Sequence, residues 1–351
     1  MTFAEKYVVE EWTEYHHSNI TSPRFMWKQK SITTEFFEKK LKFKGFDSQS
    51  VLILGGYNHA KMLDSSEVFF ANDACHVPSL PNGENPGNSL LLTTGDHKVL
   101  TCGGRHNSDC TKICLVLDVQ NGHWTNHSHL MYPRYYSIGI SMPEGNYVFG
   151  GYGSPKTSDF LPKFSNTWKV GPSIPSKGIF EGCGLRISNH EIILIGGYSS
   201  VNVVIKYNTQ TNGWTGMPNL IQGRYAHGCA LINDKIIVSG GFNEKGFKLR
   251  STEIIPLRGG GVPRFGGNLN IARSYLGLLA VVGGGTGRFP RILAFGGYNP
   301  SGPSAGYLNS IEIWNDETEE WKMAPFSMRE ARSGFGYLAL PESTMCLINK
   351  N

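Results

Sequence analysis

The chain has 351 residues, of which 40% are hydrophobic and 17% are charged, a balance typical of a globular protein rather than a disordered one. Its net charge of +5 contains no run of five or six like charges, which argues against nucleic acid as the main partner. The longest apolar run is far shorter than the ~20 residues of a membrane span, and the first residues lack the apolar core of a secretory signal, so we expect a soluble chain.

Glycine pairs divide the chain at regular intervals. The 43 glycines exceed the average usage of ~7% and occur along the whole length, which predicts many turns between short strands. Six of the adjacent pairs each follow a short apolar segment typical of a β-strand. In chain order, these segments with their glycines are residues 51–56, 99–104, 147–151, 192–197, 236–241 and 292–297.

The spacing of the pairs matches one blade of a β-propeller. Their first glycines, at positions 55, 103, 150, 196, 240 and 296, lie 44 to 56 residues apart. One four-stranded blade takes ~40–50 residues. A single blade is a small sheet that cannot bury both of its faces, so we expect blades packed around an axis.

Two other markers keep the same register. A tryptophan ends each strand-and-turn segment after several of the glycine pairs, and we expect it to fill the wedge toward the next blade. These tryptophans are Trp124, Trp168, Trp214 and Trp321. An arginine stands 16 residues before two of the pairs (Arg134 and Arg224) and 23 residues before another (Arg273). This order of arginine, apolar strand, glycine pair, strand, turn and tryptophan resembles the kelch repeat over about residues 50–340.

The resemblance implies an all-β fold, a kelch-type β-propeller of six four-stranded blades. Residues 335–340 follow Arg332 and show the alternating pattern typical of a β-strand. They would form an innermost strand that completes the blade of residues 51–56. A seven-bladed alternative uses residues 345–349 as the strand of another blade. We predict an N-terminal extension at 1–48, partly ordered, the propeller at 49–341, and a C-terminal tail at 342–351.

In kelch proteins ligands are commonly held on the rim formed by the loops after the glycine pairs and before the arginine strands. An aromatic residue follows the pair in five of the six blades, and the alternative to a binding role is packing within the hairpin. The resemblance therefore points to the residues that follow the pairs: Tyr57, Asn58, Arg105, Tyr152, Tyr198, Phe242, Tyr298 and Asn299.

Four arginines would point toward the same rim or the central channel: Arg134, Arg224, Arg273 and Arg332. Guanidinium groups hold carboxylates or phosphates with paired hydrogen bonds, so such a ring suits an acidic ligand. The alternative is a structural hydrogen bond to a neighbouring blade. The fourth blade has only Lys177 near this place and the second has no basic residue there, so an anion site would be lopsided.

The function implied is a non-catalytic interaction module that presents one rim to a protein or peptide, with acidic partners as one option. One alternative is the substrate-recognition part of a ubiquitin-ligase adaptor whose N-terminal domains are missing. Another is a galactose-oxidase-like copper enzyme, but His227 is the single innermost histidine and no histidine pair lies on the rim segments. We therefore expect no catalytic residue, no metal and no cofactor.

Seven cysteines leave at least one unpaired within the chain. Cys102 and Cys114 would be cross-strand partners in the second blade, while Cys183 and Cys229 occupy matching places in the innermost strands of adjacent blades. Disulfides at these pairs would favour an oxidising, extracellular home for a chain whose leader is missing. Free buried thiols, the alternative for a chain without a visible signal peptide, would favour the cytoplasm.

Overall fold

The computed structural model describes residues 49–341 except 60, 70–76, 82–87, 89, 96, 107–108, 176, 259, 283–289 and 302–304. Within these residues the regular elements are β-strands, and six antiparallel sheets contain most of them. No helix in this part of the chain is long and apolar enough to cross a membrane. The predicted extension at 1–48, the tail at 342–351 and the alternative strand at 345–349 lie outside the described residues.

Each sheet is one blade, and its strands lie side by side from the innermost, next to the central axis, to the outermost. Blade one contains Gly336–Pro341, Gln49–Leu54 and Ser66–Phe69; blade two contains Leu90–Thr93, Lys98–Cys102, Cys114–Asp118 and His123–His127; blade three contains Ile138–Met142, Gly145–Phe149, Ser158–Pro162 and Lys169–Val170. Blade one thus has three strands within the described residues, and the next two blades have four each.

The second half of the ring repeats this plan. Blade four contains Cys183–Arg186, Glu191–Ile195, Val204–Asn208 and Gly213–Gly216; blade five contains Gly228–Ile232, Lys235–Ser239, Thr252–Pro256 and Arg264–Gly266; blade six contains Gly277–Val282, Pro290–Phe295, Ser310–Asn315 and Glu320–Ser327. Three two-stranded ribbons extend from blades one, two and six: Tyr57–Asn58 with Lys61–Met62, Arg105–His106 with Asp109–Cys110, and Tyr298–Asn299 with Gly306–Tyr307.

The apolar strands become the second strands of the blades because a neighbouring blade covers each of their faces. Val51, Leu52, Ile53 and Leu54 are all fully buried, as are Ile192–Ile195 in blade four. A strand covered on both faces needs a continuous apolar run instead of alternation. Such runs precede the glycine pairs in the sequence.

The core consists of six apolar clusters, and each one lies between two adjacent blades. The tryptophans belong to these clusters, but they pack against the preceding blade and not, as predicted, the next one. Trp168 of blade three lies with Leu92 and Leu100 of blade two, for example. The outer strand therefore places its tryptophan side chain in the interface with the preceding blade.

The predicted closure of the ring is confirmed. The strand Gly336–Pro341 pairs antiparallel with Gln49–Leu54, placing Leu338 opposite Leu52. One apolar cluster joins blade six to blade one, and the innermost strands contact one another in sequence around the axis. The described residues therefore form a six-bladed propeller in which the strand Gly336–Pro341 completes the first blade.

The glycine pairs connect successive blades through backbone hydrogen bonds. The second glycine of a pair donates its N–H to the carbonyl that precedes the next blade's inner strand, as in Gly197 to Arg224 (3.0 Å) and Gly241 to Arg273 (2.9 Å). Gly241 has φ of 86°, and a Cβ there would overlap the carbonyl oxygen of Tyr225. Only glycine accepts both the left-handed backbone and this close approach.

Four blades contain a buried arginine–carboxylate pair. The pairs are Arg134 with Asp159, Arg224 with Glu253, Arg273 with Glu312, and Arg332 with Glu67 and Glu330. In blade five, Arg224 donates to the carbonyls of Gly240 and Ser251 at 3.0 Å each and to the carboxylate of Glu253 at 2.9 Å. Burial lowers the pKa of Arg224, and the Glu253 carboxylate opposes that shift.

The carboxylate also fixes the loop that enters the blade. Glu253 accepts hydrogen bonds from the backbone N–H groups of Ile221 (2.7 Å) and Gln222 (3.0 Å). Glu312 does the same for the backbone of Asn270 (2.6 Å) and Ile271 (3.1 Å) in blade six. Each arginine–carboxylate pair therefore connects three parts of its blade: the first residue of the glycine pair, the third strand and the loop before the inner strand.

This geometry corrects the prediction that the arginines offer a ring of guanidinium groups to an acidic ligand. The side chains of Arg134, Arg224 and Arg273 are 0% exposed and that of Arg332 is 1% exposed. Their charges are balanced by carboxylates inside the blades, so no ligand on the rim can reach them. The structural alternative holds, although the side-chain bonds stay largely within the arginine's own blade.

Two disulfides lie in the propeller, one within blade two and one between blades four and five. Cys102 and Cys114 face each other on the second and third strands of blade two, with Cα atoms 4.2 Å apart. Cys183 of blade four is bonded to Cys229 of blade five, with Cα atoms 6.0 Å apart. Among the described cysteines, Cys110 is a free, half-buried thiol.

Replacing Arg224 with alanine should lower the free energy of unfolding by about 3–5 kcal/mol, because Glu253 would stay buried without its counter-charge. Urea denaturation measures this change. The matched control is Arg258→Ala, since this arginine has an 84% exposed side chain and pairs with an exposed aspartate. We expect the control to change stability by less than about 0.5 kcal/mol. Equal stability of the two variants would contradict the structural role.

Ending the chain after Ala331 should destabilise the whole ring. The truncation removes the innermost strand of blade one, exposing the edge of Gln49–Leu54 and the cluster it shares with blade six. Thermal unfolding should shift to lower temperature and lose cooperativity. A control that ends at Pro341 keeps the strand, and equal melting of the two chains would show that the strand does not close the ring.

Candidate functional site

Aromatic side chains form an arc on one rim of the propeller, in two runs of touching rings, and we call this arc the aromatic rim. Its members come from blades three to six and from blade one: Tyr135, Tyr152, Phe180, Tyr198, Tyr225, Phe242, Tyr298, Tyr307 and His59. In most blades one ring follows the glycine pair and its partner precedes the inner strand. Short backbone bridges such as Tyr135 to Tyr152 and Tyr225 to Phe242 hold these two positions side by side.

Contacts within blades alternate with contacts between blades along the arc. Tyr135 stacks on Tyr152 within blade three, with ring centroids 4.9 Å apart, and Tyr152 meets Phe180 of blade four at 6.0 Å. Tyr198 of blade four then meets Tyr225 of blade five at 5.0 Å. Tyr152 and Tyr198 are 52% and 58% exposed, which gives the rim large aromatic surfaces in contact with solvent.

Two basic side chains complete the aromatic rim. The ammonium of Lys248 lies 4.7 Å from the ring centroid of Phe242 and 5.1 Å from that of Tyr298, so it bridges blades five and six. Arg105 occupies the position after the glycine pair in blade two. It lies close enough to Tyr57 and Tyr135 to oppose the rise in their pKa that burial causes. The cation–π contacts of Lys248 keep this basic group on an apolar surface.

Most of the rim residues predicted from the sequence lie together here. Tyr57, Arg105, Phe242 and Tyr298 are half-buried, whereas Tyr152 and Tyr198 are exposed. Asn58 is half-buried in a ribbon. Asn299 is only 8% exposed and its side chain accepts a hydrogen bond from the backbone of Ser301, so it stabilises a turn. The four predicted arginines lie inside the blades, as described above.

Sequence reasoning missed half of the aromatic rim and its lysine. Tyr135, Phe180 and Tyr225 each stand one residue after the arginine position, so a repeat-by-repeat comparison of that position would have revealed them. Lys248 belongs to a loop without a repeated counterpart, and no pattern in the chain marks it.

Six residues with left-handed backbone surround the mouth of the central channel, one per blade: Asn88, Tyr136, Glu181, Ala226, Tyr275 and Gly334, with φ between 52° and 60°. Each stands just before an inner strand. Backbone hydrogen bonds connect them around the axis, from Tyr136 to Asn88, Glu181 to Tyr136, Ala226 to Glu181, Tyr275 to Ala226 and Gly334 to Tyr275, at 2.7 to 3.3 Å. We call this set the mouth ring.

Two tyrosines of the mouth ring meet across the axis. Tyr136 and Tyr275 come from opposite blades, three and six, and stack with ring centroids 5.2 Å apart. The hydroxyl of Tyr275 donates a hydrogen bond of 3.0 Å to the carboxylate of Glu181. Burial raises the pKa of both tyrosines, and the neighbouring Glu181 carboxylate raises them as well.

Glu181 is a carboxylate without a cation beside it. Burial raises its pKa from 4.5 to about 7, and the hydrogen bond from Tyr275 only partly opposes the rise. His227 lies on the same channel, where burial and the charge of Arg224 lower its pKa to about 3, so its imidazole is neutral near pH 7. The channel mouth is therefore an acidic spot inside a rim that carries Arg105 and Lys248.

The described residues contain no group of three or more His, Cys, Asp or Glu side chains placed to hold a metal ion.

The raised pKa of Glu181 predicts a pH-dependent stability. The folded state keeps a proton that the unfolded chain releases between about pH 4.5 and 7, so the free energy of unfolding should fall as pH rises through this window. Glu181→Gln removes that loss. The variant should match the original chain near pH 4 and exceed it above pH 7, by on the order of 2–3 kcal/mol at most. Urea denaturation at several pH values gives the difference, and a pH-independent difference would contradict the burial of this carboxylate.

The comparisons with known proteins agree with this architecture. A kelch-motif profile matches residues 290–325, which run from the second strand of blade six to its outer strand. Human Kelch-like protein 24 is 31% identical over 110 residues, 31% of this chain and 18% of that protein. The kelch repeat and BTB domain-containing protein F47D12.7 of Caenorhabditis elegans is 28% identical over 179 residues, 48% of this chain and 29% of that protein.

Each alignment covers less than a third of the relative's own length, so it compares blades and not whole proteins. A second Caenorhabditis elegans relative, the kelch repeat-containing protein kel-10, is 27% identical over 179 residues and aligns to the same extent. With six blades, paired glycines between them and these relatives, the described residues form a kelch-type β-propeller whose sequence is similar to kelch-repeat proteins.

Proposed function

We propose that this kelch propeller is a non-catalytic protein-interaction module that binds a protein or peptide segment on the aromatic rim. The observation that carries the proposal is the arc of rings from five blades, in which Tyr152 and Tyr198 keep more than half of their surface in solvent. Large, rigid aromatic side chains provide contact area at low entropic cost and are enriched at binding hot spots.

The basic groups of the rim favour a segment that includes acidic residues. Arg105 and Lys248 are both half-buried on the aromatic rim, and neither forms an ion pair among the described contacts that involve the rim. A guanidinium that already lies against Tyr57 and Tyr135 loses little freedom when it binds a carboxylate. Acid recognition thus rests on these two residues and not on the four buried arginines.

The experiment compares partner capture by variants of the two faces of the disc. Tyr198→Ala should remove partners from a quantitative pull-down. With a purified partner, the variant should weaken the binding free energy by about 1–3 kcal/mol, as expected for an exposed aromatic hot spot. Arg105→Ala should weaken the binding of acidic partners by a similar amount, and the remaining binding should depend less on salt concentration.

The matched control is Phe164→Ala. Phe164 is 95% exposed and follows the strand Ser158–Pro162, whose end pairs with Gly145 at the opposite face of the propeller. We expect this variant to retain every partner. Loss of binding in the Phe164 variant with retention in the Tyr198 variant would assign the interaction to the other face.

A second candidate is substrate recognition within a ubiquitin-ligase adaptor. One relative carries a BTB domain in its name together with kelch repeats, and the aligned region makes up 29% of that protein. The role requires a recruiting domain in the same polypeptide. Sequencing the complete transcript that encodes this chain tests it, because a transcript without such a domain would leave the propeller as a binding module only.

A further inference from the structure

A cavity of about 280 Å³ lies on the propeller axis behind the mouth ring. All six mouth-ring residues line it, together with residues of the inner strands that include Ile138, Leu185 and Leu278. A water molecule takes ~30 Å³ of liquid, so the cavity has a volume on the order of nine waters. This is enough for a guest the size of a side chain.

The charged groups of this cavity are few. Glu181 is the single carboxylate among the described residues that line it, and no lysine or arginine lines it there. His227 also lines it, but its imidazole is neutral at pH 7. The groups that act on or near Glu181 from the surrounding blades are tyrosine hydroxyls, all neutral at that pH: those of Tyr135, Tyr136, Tyr225 and Tyr275.

We infer that the cavity binds an organic cation, an alkylammonium or guanidinium group, with the carboxylate of Glu181 as its counter-ion and the stacked pair Tyr136 and Tyr275 as its aromatic contact.

The chemistry of the lining excludes the other ligand classes. An anion would be repelled by Glu181, and an apolar guest would remove water from the carboxylate without replacing its charge partner. A metal ion would need further ligands, and no group of three or more metal-binding side chains exists in the described part of the chain. A cation satisfies both features of the site, since it neutralises the carboxylate and is attracted to the faces of tyrosine rings.

The backbone supports a binding role for these side chains. Each mouth-ring residue has φ above 50°, a conformation that glycine adopts freely and other residues adopt at a cost of about 1–2 kcal/mol. Blade one has glycine at this place, Gly334, which shows that the fold accepts it. Glutamate and two tyrosines nevertheless occupy equivalent places in other blades. Strain of this kind is concentrated at functional sites.

The probe for the test is n-butylammonium, and 1-butanol is the neutral control of the same length. Ligand-observed NMR should show saturable binding of butylammonium and none of butanol. Because Glu181 ionises with a pKa of about 7, its charged fraction rises about tenfold from pH 6 to pH 8, and the affinity should rise by a similar factor. The ammonium stays protonated throughout, since alkyl amines such as lysine have a pKa near ~10.4.

Variants assign the effect to the cavity. Glu181→Gln keeps the shape of the side chain and should abolish both the binding and its pH dependence. Glu244→Gln is the matched control, since Glu244 is exposed in the loop that follows Phe242 and does not line the cavity. Tyr275→Phe removes the hydrogen bond that lowers the pKa of Glu181, so the midpoint of the pH profile should move upward.

Two sources can supply such a cation, and peptides distinguish them. Binding of acetyl-Gly-Lys-Gly-amide, with no binding of the norleucine peptide, would assign the site to a basic side chain of a docked protein. Binding of butylammonium alone would assign it to a small free amine. The inference is overturned if butylammonium binds the Gln variant as well as the original chain, or if no binding occurs at pH 8. None of these outcomes depends on the aromatic rim, because the probes do not require a protein partner.

Discussion

The buried arginine–carboxylate pair is the interaction on which the positions of the segments within and between neighbouring blades depend. A guanidinium at 0% exposure is tolerated because several acceptors meet it, namely a glycine carbonyl, a strand carbonyl and a carboxylate. The same carboxylate holds the backbone of the entering loop, and the arginine's own carbonyl receives the glycine N–H of the blade before. One residue therefore sets the position of three segments from two blades.

The two blades without this arginine show what replaces it. Blade four has Ile179 at the arginine position and Ile205 at the carboxylate position, and blade two has Leu115 at the latter. The exchange is concerted, as expected, because one charge left alone in the interior is far more costly than an apolar pair of similar size. Blade two contains the disulfide between Cys102 and Cys114, and Cys183 of blade four is bonded to Cys229 of blade five, so each of the two blades has a covalent bond.

The sequence predicts the repeat, the number of blades and the closing strand, since all three follow from spacing and apolar runs. It did not predict the burial of the arginines, because the partner of Arg224 is Glu253, 29 residues later on another strand. A signal was present in retrospect: Ser or Thr two residues before the acid in each such blade, as in Ser251 and Glu253. The channel mouth had no comparable signal, since the bond from Tyr275 to Glu181 spans 94 residues and two blades.

The rim and the axis differ in the sign of their charge, and the fold explains why. On the rim, the ammonium of Lys248 lies over the rings of Phe242 and Tyr298, and the guanidinium of Arg105 lies beside Tyr57 and Tyr135. At the axis, where the six inner strands converge, Glu181 has a tyrosine hydroxyl as its donor and no cation beside it among the described residues. A molecule that covers the whole face therefore meets basic groups at its edge and a carboxylate at its centre. Such an arrangement selects the orientation of a bound segment as well as its composition. A segment that placed its basic groups at the edge and its acidic groups at the centre would meet like charges at both positions.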